Sequence, residues 1–117
     1  MALSWYNGFS PAQREQGNKW VHDAVDSNEL VPLSECACHY CGQDEGIRHY
    51  HCEDYSTKET VVGGSVPVCW RCHMMIHRRF RHPKSYEKYF EEVKSGKRYP
   101  PIYKQNQWQE LNQHSID

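Results

Sequence analysis

Two Cys-x-x-Cys pairs, Cys38/Cys41 and Cys69/Cys72, bracket a histidine-rich segment, and the second runs directly into His73-Met74-Met75-Ile76-His77. Four thiolates in two such knuckles match the donor set of structural zinc, a closed site that leaves no coordination position open and does no chemistry. Imidazole differs: near neutral pH it serves as a general base or as a ligand to a reactive cation. Cys38, Cys41, Cys69 and Cys72 are therefore read as the structural zinc site, and His49, His51, His73 and His77 as the candidates for activity.

Such groups act only where local structure aims them. Residues 36–46 read as the first knuckle, with Cys41-Gly42 as the tight turn that lets backbone amides approach the sulfurs. Cys36 also spaces against the knuckle, but the Cys-x-x-Cys-Gly turn favours Cys38/Cys41, and Cys52 reads as a small buried filler. Ile47 to His51 reads as a short strand, on which His49 and His51 point to one side and Tyr50 to the other. A polar loop follows over residues 53–59. Val61-Val62 and Val66-Pro67-Val68 read as strand pieces broken by Gly63-Gly64, a hairpin or bulged return delivering Cys69 to the first knuckle.

From Trp70 to Arg81 the spacing predicts a helix ending near Pro83, with His73 and His77 four apart on one face. Upstream, Ser10, Pro11 and Gln13 carry the marks of a helix start. Trp20, Val21, Ala24 and Val25 then recur at helical spacing, so one face of that helix is expected on the zinc core, with Gly17 as a weak point. Tyr86, Tyr89, Phe90 and Val93 predict a third helix stopped by Gly96. Beyond it Tyr99-Pro100-Pro101 reads as extended, and Trp108 and Leu111 as part of a tail wrapping the domain or a second subunit.

The 117 residues fit a single domain: helical support over 1–35, a zinc-stapled core over 36–82, and a C-terminal helix and tail over 83–117. A hydrophobic fraction of 38% leaves a modest core, which a metal staple would help to fold. No N-terminal stretch resembles a signal peptide and no run approaches the roughly 18 apolar residues of a membrane span, so the six cysteines point to metal rather than disulfides and the chain to a soluble, cytoplasmic protein.

The net charge of −1 conceals an asymmetry: residues 1–68 carry four Lys/Arg against ten Asp/Glu, residues 69–98 nine against three. Arg71, Arg78, Arg79, Arg81, Lys84 and Lys88 lie beside the metal motif at a density suited to a phosphate backbone. A solvated helix face is the plainer explanation of such a run. Its position favours nucleic acid.

Strand ending in histidine, loop, second strand and ligand-bearing helix together resemble the ββα-metal fold of HNH endonucleases. The residues that carry the resemblance are Cys38-His39-Tyr40-Cys41-Gly42, His49-Tyr50-His51-Cys52-Glu53-Asp54-Tyr55 and Val68-Cys69-Trp70-Arg71-Cys72-His73 through His77, similar to the zinc-stapled, phage-associated branch over about residues 36–82. The resemblance implies an α+β fold: a small ββα-metal (HNH) core stapled by a four-cysteine zinc site and flanked by N- and C-terminal helices. It also implies a DNA endonuclease of a bacterial or phage-infected cell, with one catalytic Mg²⁺ or Mn²⁺ besides the zinc.

On that pattern His51 matches the general base, His73 the helix ligand to the catalytic ion and His77 the last histidine of the motif. Phosphodiester hydrolysis independently asks for a deprotonated water, a cation to stabilise charge on the phosphoryl group and a proton for the leaving oxygen. Three departures stand out. Tyr50 occupies the position before the base, so His49, Glu53 or Asp54 must supply that metal contact; Gly63-Gly64-Ser65 stands where the motif has asparagine; and His49 is an alternative to His51 as the base. A non-catalytic zinc-ribbon module binding nucleic acid or a protein, such as a phage-encoded inhibitor, is the alternative. Cleavage of both strands would require two nicks or a homodimer.

Overall fold

A computed structural model describes residues 3–104. Four helices surround one two-stranded sheet: α1 (Pro11–Asp26), β1 (Arg48–His51), α2 (Lys58–Gly64), β2 (Val66–Cys69), α3 (Trp70–Arg78) and α4 (Pro83–Lys94), with a 3₁₀ turn at Leu33–Glu35. The class is small mixed α/β with a cysteine cluster at its centre. No helix among the described residues is long and apolar enough to cross a membrane.

α1 begins as its sequence predicts. The Ser10 hydroxyl accepts from the Gln13 amide at 3.2 Å, and the Gln13 side chain accepts from the Ser10 amide at 2.8 Å. Its inward face, however, does not reach the cysteine knuckles. It packs on α2 and on a separate small core of Tyr6, Cys52, Tyr55 and Val61. Gly17 is the reason α1 can come so close: a Cβ there would stand 2.5 Å from Cδ1 of Tyr55. The residue expected to weaken the helix is the one its packing demands.

β1 and β2 pair antiparallel, with Arg48 opposite Cys69 and His51 opposite Val66. Residues 61–62, expected to be extended, are helical instead. Thr57 and Thr60 close a capping box at the start of α2, and Val61 is wholly buried against Tyr55 and α1, so a local cap and long-range burial override the strand preference of two valines. α3 ends at Arg78 rather than Arg81, because the amides of Arg81 and His82 both turn back to the Arg78 carbonyl.

The second core gathers the knuckles with Val68, Met75, Ile76, Tyr89 and Val93. α4 closes on Gly96 with the paired bonds of a Schellman motif, Gly96 to Val93 and Lys97 to Glu92. Residues 99–102 then cross the knuckle as an extended strap. Tyr99 stacks on Tyr89 at 5.4 Å, and Ile47 donates to the Ile102 carbonyl at 2.8 Å. Gly46, at φ 75°, permits that crossing, since a side chain there would meet the Ile102 carbonyl. Trp108, Leu111 and His114 lie outside the described residues.

Candidate functional site

Two clusters of side chains that could hold a metal meet at α3, which carries Cys72 beside His73 and His77. The sulfurs of Cys38, Cys41, Cys69 and Cys72 lie within 4.8 Å of one another, three of the four residues buried. Cys69 caps α3, its sulfur accepting from the Cys72 amide at 3.4 Å, so sheet and helix meet at this point. Cys36 and Cys52 are outside the cluster: Cys36 contacts the Val31 and Pro32 carbonyls, and Cys52 the Asp54 carbonyl.

Four thiols this close cannot ionise together unaided. Hydrogen bonds from Cys41, Cys69 and Cys72 drive the Cys38 thiol far down, while the bond to Cys38 drives Cys72 far up. Thiolate character concentrates on Cys38 and Cys41 and opposes ionisation of Cys69 and Cys72. A divalent cation removes that opposition, and the four-sulfur set can hold a metal such as zinc. The Tyr89 hydroxyl, 3.1 Å from the Cys72 sulfur, supplies a supporting contact from α4.

The second cluster follows from two local periodicities. Alternation along β1 turns His49 and His51 to one side, and the four-residue spacing on α3 turns His73 and His77 to one face. Because β2 runs straight into α3 at Cys69–Trp70, those faces meet. His49 Nδ1 is 3.1 Å from His73 Nδ1, and His73 Nε2 is 3.0 Å from His77 Nε2. His51, His73 and His77 offer ligand nitrogens all within 4.8 Å.

Burial keeps these rings neutral. It lowers His49 and His51, lowers His73 strongly with help from the neighbouring imidazoles, and sets His77 at about 4. Neutral imidazole is the form that binds a cation or takes a proton.

The carboxylate at the cluster is Glu53, not Asp54. Glu53 Oε2 is hydrogen-bonded to His51 Nε2 and accepts from the Tyr6 hydroxyl at 2.6 Å, and Arg79 pairs with its other oxygen. Burial pushes Glu53 up, but the bonds from Tyr6, His51 and Arg79 outweigh it and hold the group ionised. Asp54 is outside the cluster and exposed, its Oδ1 bonded to the amide and hydroxyl of Ser56 in an Asx turn. Tyr6 had no signal in the sequence: it arrives from a bridge with Phe9, 45 residues before His51, and its ring lies 4.5 Å from that of His77.

The basic run is divided by the fold. Arg71, 4% exposed, lies 5.0 Å from the Tyr99 ring and donates to the Pro100 carbonyl, so it holds the strap and is not positioned as a phosphate contact. Arg79 is drawn to Glu53 and Tyr6. Arg81 and Lys84 are exposed and Arg78 half-buried at the α3–α4 corner.

Beside the histidines a cleft of about 540 Å³ opens between α1 and β1. Arg14, Asn18, Val21 and Val25 of α1 form one wall, Leu33, His49 and Tyr50 the other, and His73 and His77 reach it from α3. Comparisons of the chain with protein-family models, with curated proteins and with solved structures found no match.

Proposed function

We propose that this protein is a metal-dependent DNA endonuclease of the HNH type, hydrolysing phosphodiester bonds with His51 as general base beside a single catalytic cation. The observation that carries it is the convergence of His49 and His51 from the strand with His73 and His77 from the helix, next to a separate four-cysteine site. On this reading β1, β2 and α3 form the ββα unit that carries the reactive site, with the cysteine site at the junction of β2 and α3.

Each side chain then has a task. Glu53 accepts the Nε2–H of His51, which leaves the lone pair on Nδ1 to take a proton from the attacking water. Tyr6 and Arg79 fix Glu53, and so the orientation of the base. The ligand role of His73 asks for its Nδ1–H tautomer, donating to His49 Nδ1 3.1 Å away, so that the Nε2 atoms of His73 and His77 stand as a ligand pair. Mg²⁺, Mn²⁺ or a related divalent ion, when bound, supplies stabilisation of charge on the phosphoryl and leaving oxygens.

The closeness of His51 to His77 favours a second assignment, in which those two rings hold the cation and His49, which lines the cleft, is the base: its Nδ1–H then donates to His73 Nδ1 and its Nε2 carries the lone pair. Nicking of supercoiled plasmid tests the function: cleavage is expected with Mg²⁺ or Mn²⁺, stopped by EDTA, and absent in a folded His51→Ala variant. Full activity in that variant would remove His51 from catalysis. No cleavage by zinc-replete protein would instead favour a non-catalytic zinc module.

A further inference from the structure

The α1 wall of the cleft has no part in the chemistry described above. Arg14, Asn18, Val21 and Val25 recur at positions i, i+4, i+7 and i+11, so a single face of the helix runs the length of the cleft. Its composition is graded. At the inner end the Arg14 guanidinium lies 5.2 Å from the Tyr6 ring, and the Tyr6 ring lies 4.5 Å from that of His77, which sets the cation one ring away from the histidines. Farther along come the Asn18 amide and then Val21, His22 and Val25, with Leu33 and Tyr50 also lining the cleft.

Arg14 is held in place from two sides: a terminal nitrogen donates to the Ser4 carbonyl at 2.7 Å and the guanidinium is hydrogen-bonded to Tyr55, 5.9 Å from that ring, while its buried Nε has no partner among the described residues. Held there on the cleft wall that His73 and His77 also line, the guanidinium charge suits an anionic group.

A nucleotide has the same gradient: a phosphate anion at one end, a hydrogen-bonding edge, and apolar base faces. The cleft volume of about 540 Å³ falls within the roughly 300–1,000 Å³ of pockets that enclose one small organic ligand. A duplex, by contrast, is gripped through many phosphates at once. Here Arg71 is buried on the strap and Arg79 paired with Glu53, so the basic run does not form one continuous footprint.

We propose that this cleft seats one unpaired nucleotide, its phosphate between Arg14 and the histidines and its base against Val21, Val25 and Leu33 with Asn18 at the edge. The substrate is accordingly single-stranded or locally unpaired DNA, recognised through base faces and one phosphate rather than through a duplex groove. This inference rests on the nuclease reading for its catalytic consequence, but the cleft assignment can be measured without cleavage.

The experiment uses zinc-replete protein without added Mg²⁺ or Mn²⁺ and a fluorescent single strand against a hairpin duplex of the same sequence. Anisotropy should show at least tenfold tighter binding of the single strand. Val25→Glu, which places a carboxylate on the half-buried cleft wall, and Arg14→Gln should each weaken it about tenfold while the thermal melt stays cooperative. Equal or tighter duplex binding, or unchanged single-strand affinity in a folded Val25→Glu protein, overturns the assignment. With Mn²⁺ added, duplex cleaved as fast as single strand overturns it too and leaves the nuclease standing. Preferential single-strand binding with no cleavage of any DNA overturns the nuclease and leaves the cleft assignment standing.

Discussion

His73 and His77 face each other Nε2 to Nε2 at 3.0 Å on adjacent turns of α3. On the nuclease reading these two nitrogens, which otherwise share one hydrogen bond between neutral rings, are the ligand pair of the catalytic cation. His77→Ala should therefore abolish binding of a second divalent ion, titrated calorimetrically with Mn²⁺, while zinc content stays at one per chain. His51→Ala separates its two candidate roles. Affinity for the second ion within about threefold of wild type identifies a base, and a loss of about 10-fold or more identifies a ligand.

The four-cysteine site should behave as a folding element. Structural zinc contributes on the order of 10 kcal/mol to small domains that depend on it, so Cys72→Ser is expected to lose the zinc and the cooperative thermal transition together. Cys36→Ser, outside the cluster, should keep both. Metal analysis alongside a melt distinguishes the cases, and a folded, zinc-free Cys72→Ser protein would refute the dependence.

Gly17 and Gly63 make opposite forecasts for the same substitution. At Gly17 a methyl would meet Tyr55 at 2.5 Å, an overpacking that costs about 1–3 kcal/mol and exceeds the gain of about 1 kcal/mol in helix propensity. At Gly63, in α2, a Cβ meets nothing within 4 Å, so Gly63→Ala should stabilise by about 0.5–1 kcal/mol. Urea melts of the two variants give the signs directly.

Glu92 ties α4 to the strap, accepting from Tyr99 at 2.7 Å and pairing with Lys97 at 3.4 Å. The Tyr99 bond, then Lys97, holds its pKa below the ordinary carboxylate value. A carboxylate depressed in the folded state adds stability above its unfolded pKa and loses it as pH falls through the folded one. The melting temperature of wild type should thus exceed that of Glu92→Gln by a few degrees at most at pH 7, with the gap closing below about pH 4. A gap unchanged at pH 3 would refute the linkage.

Spacing alone determined the two ligand clusters. The paired Cys-x-x-Cys knuckles, the alternation of His49 and His51, and the i, i+4 relation of His73 to His77 are properties of turns, strands and helices that need no knowledge of distant residues. The caps at Ser10 and the stop at Gly96 were legible for the same reason. Tertiary structure decided the rest, because burial and long-range contact have no local signature. It chose Glu53 over Asp54 by bringing Tyr6 and Arg79 to one side of the turn. It made residues 58–64 helical by burying Val61, and it withdrew Arg71 from the basic surface beneath Tyr99. It also set Arg14 beside the histidines by letting α1 settle on Tyr55 across Gly17, a contact between segments far apart in the chain that no period in either segment announces.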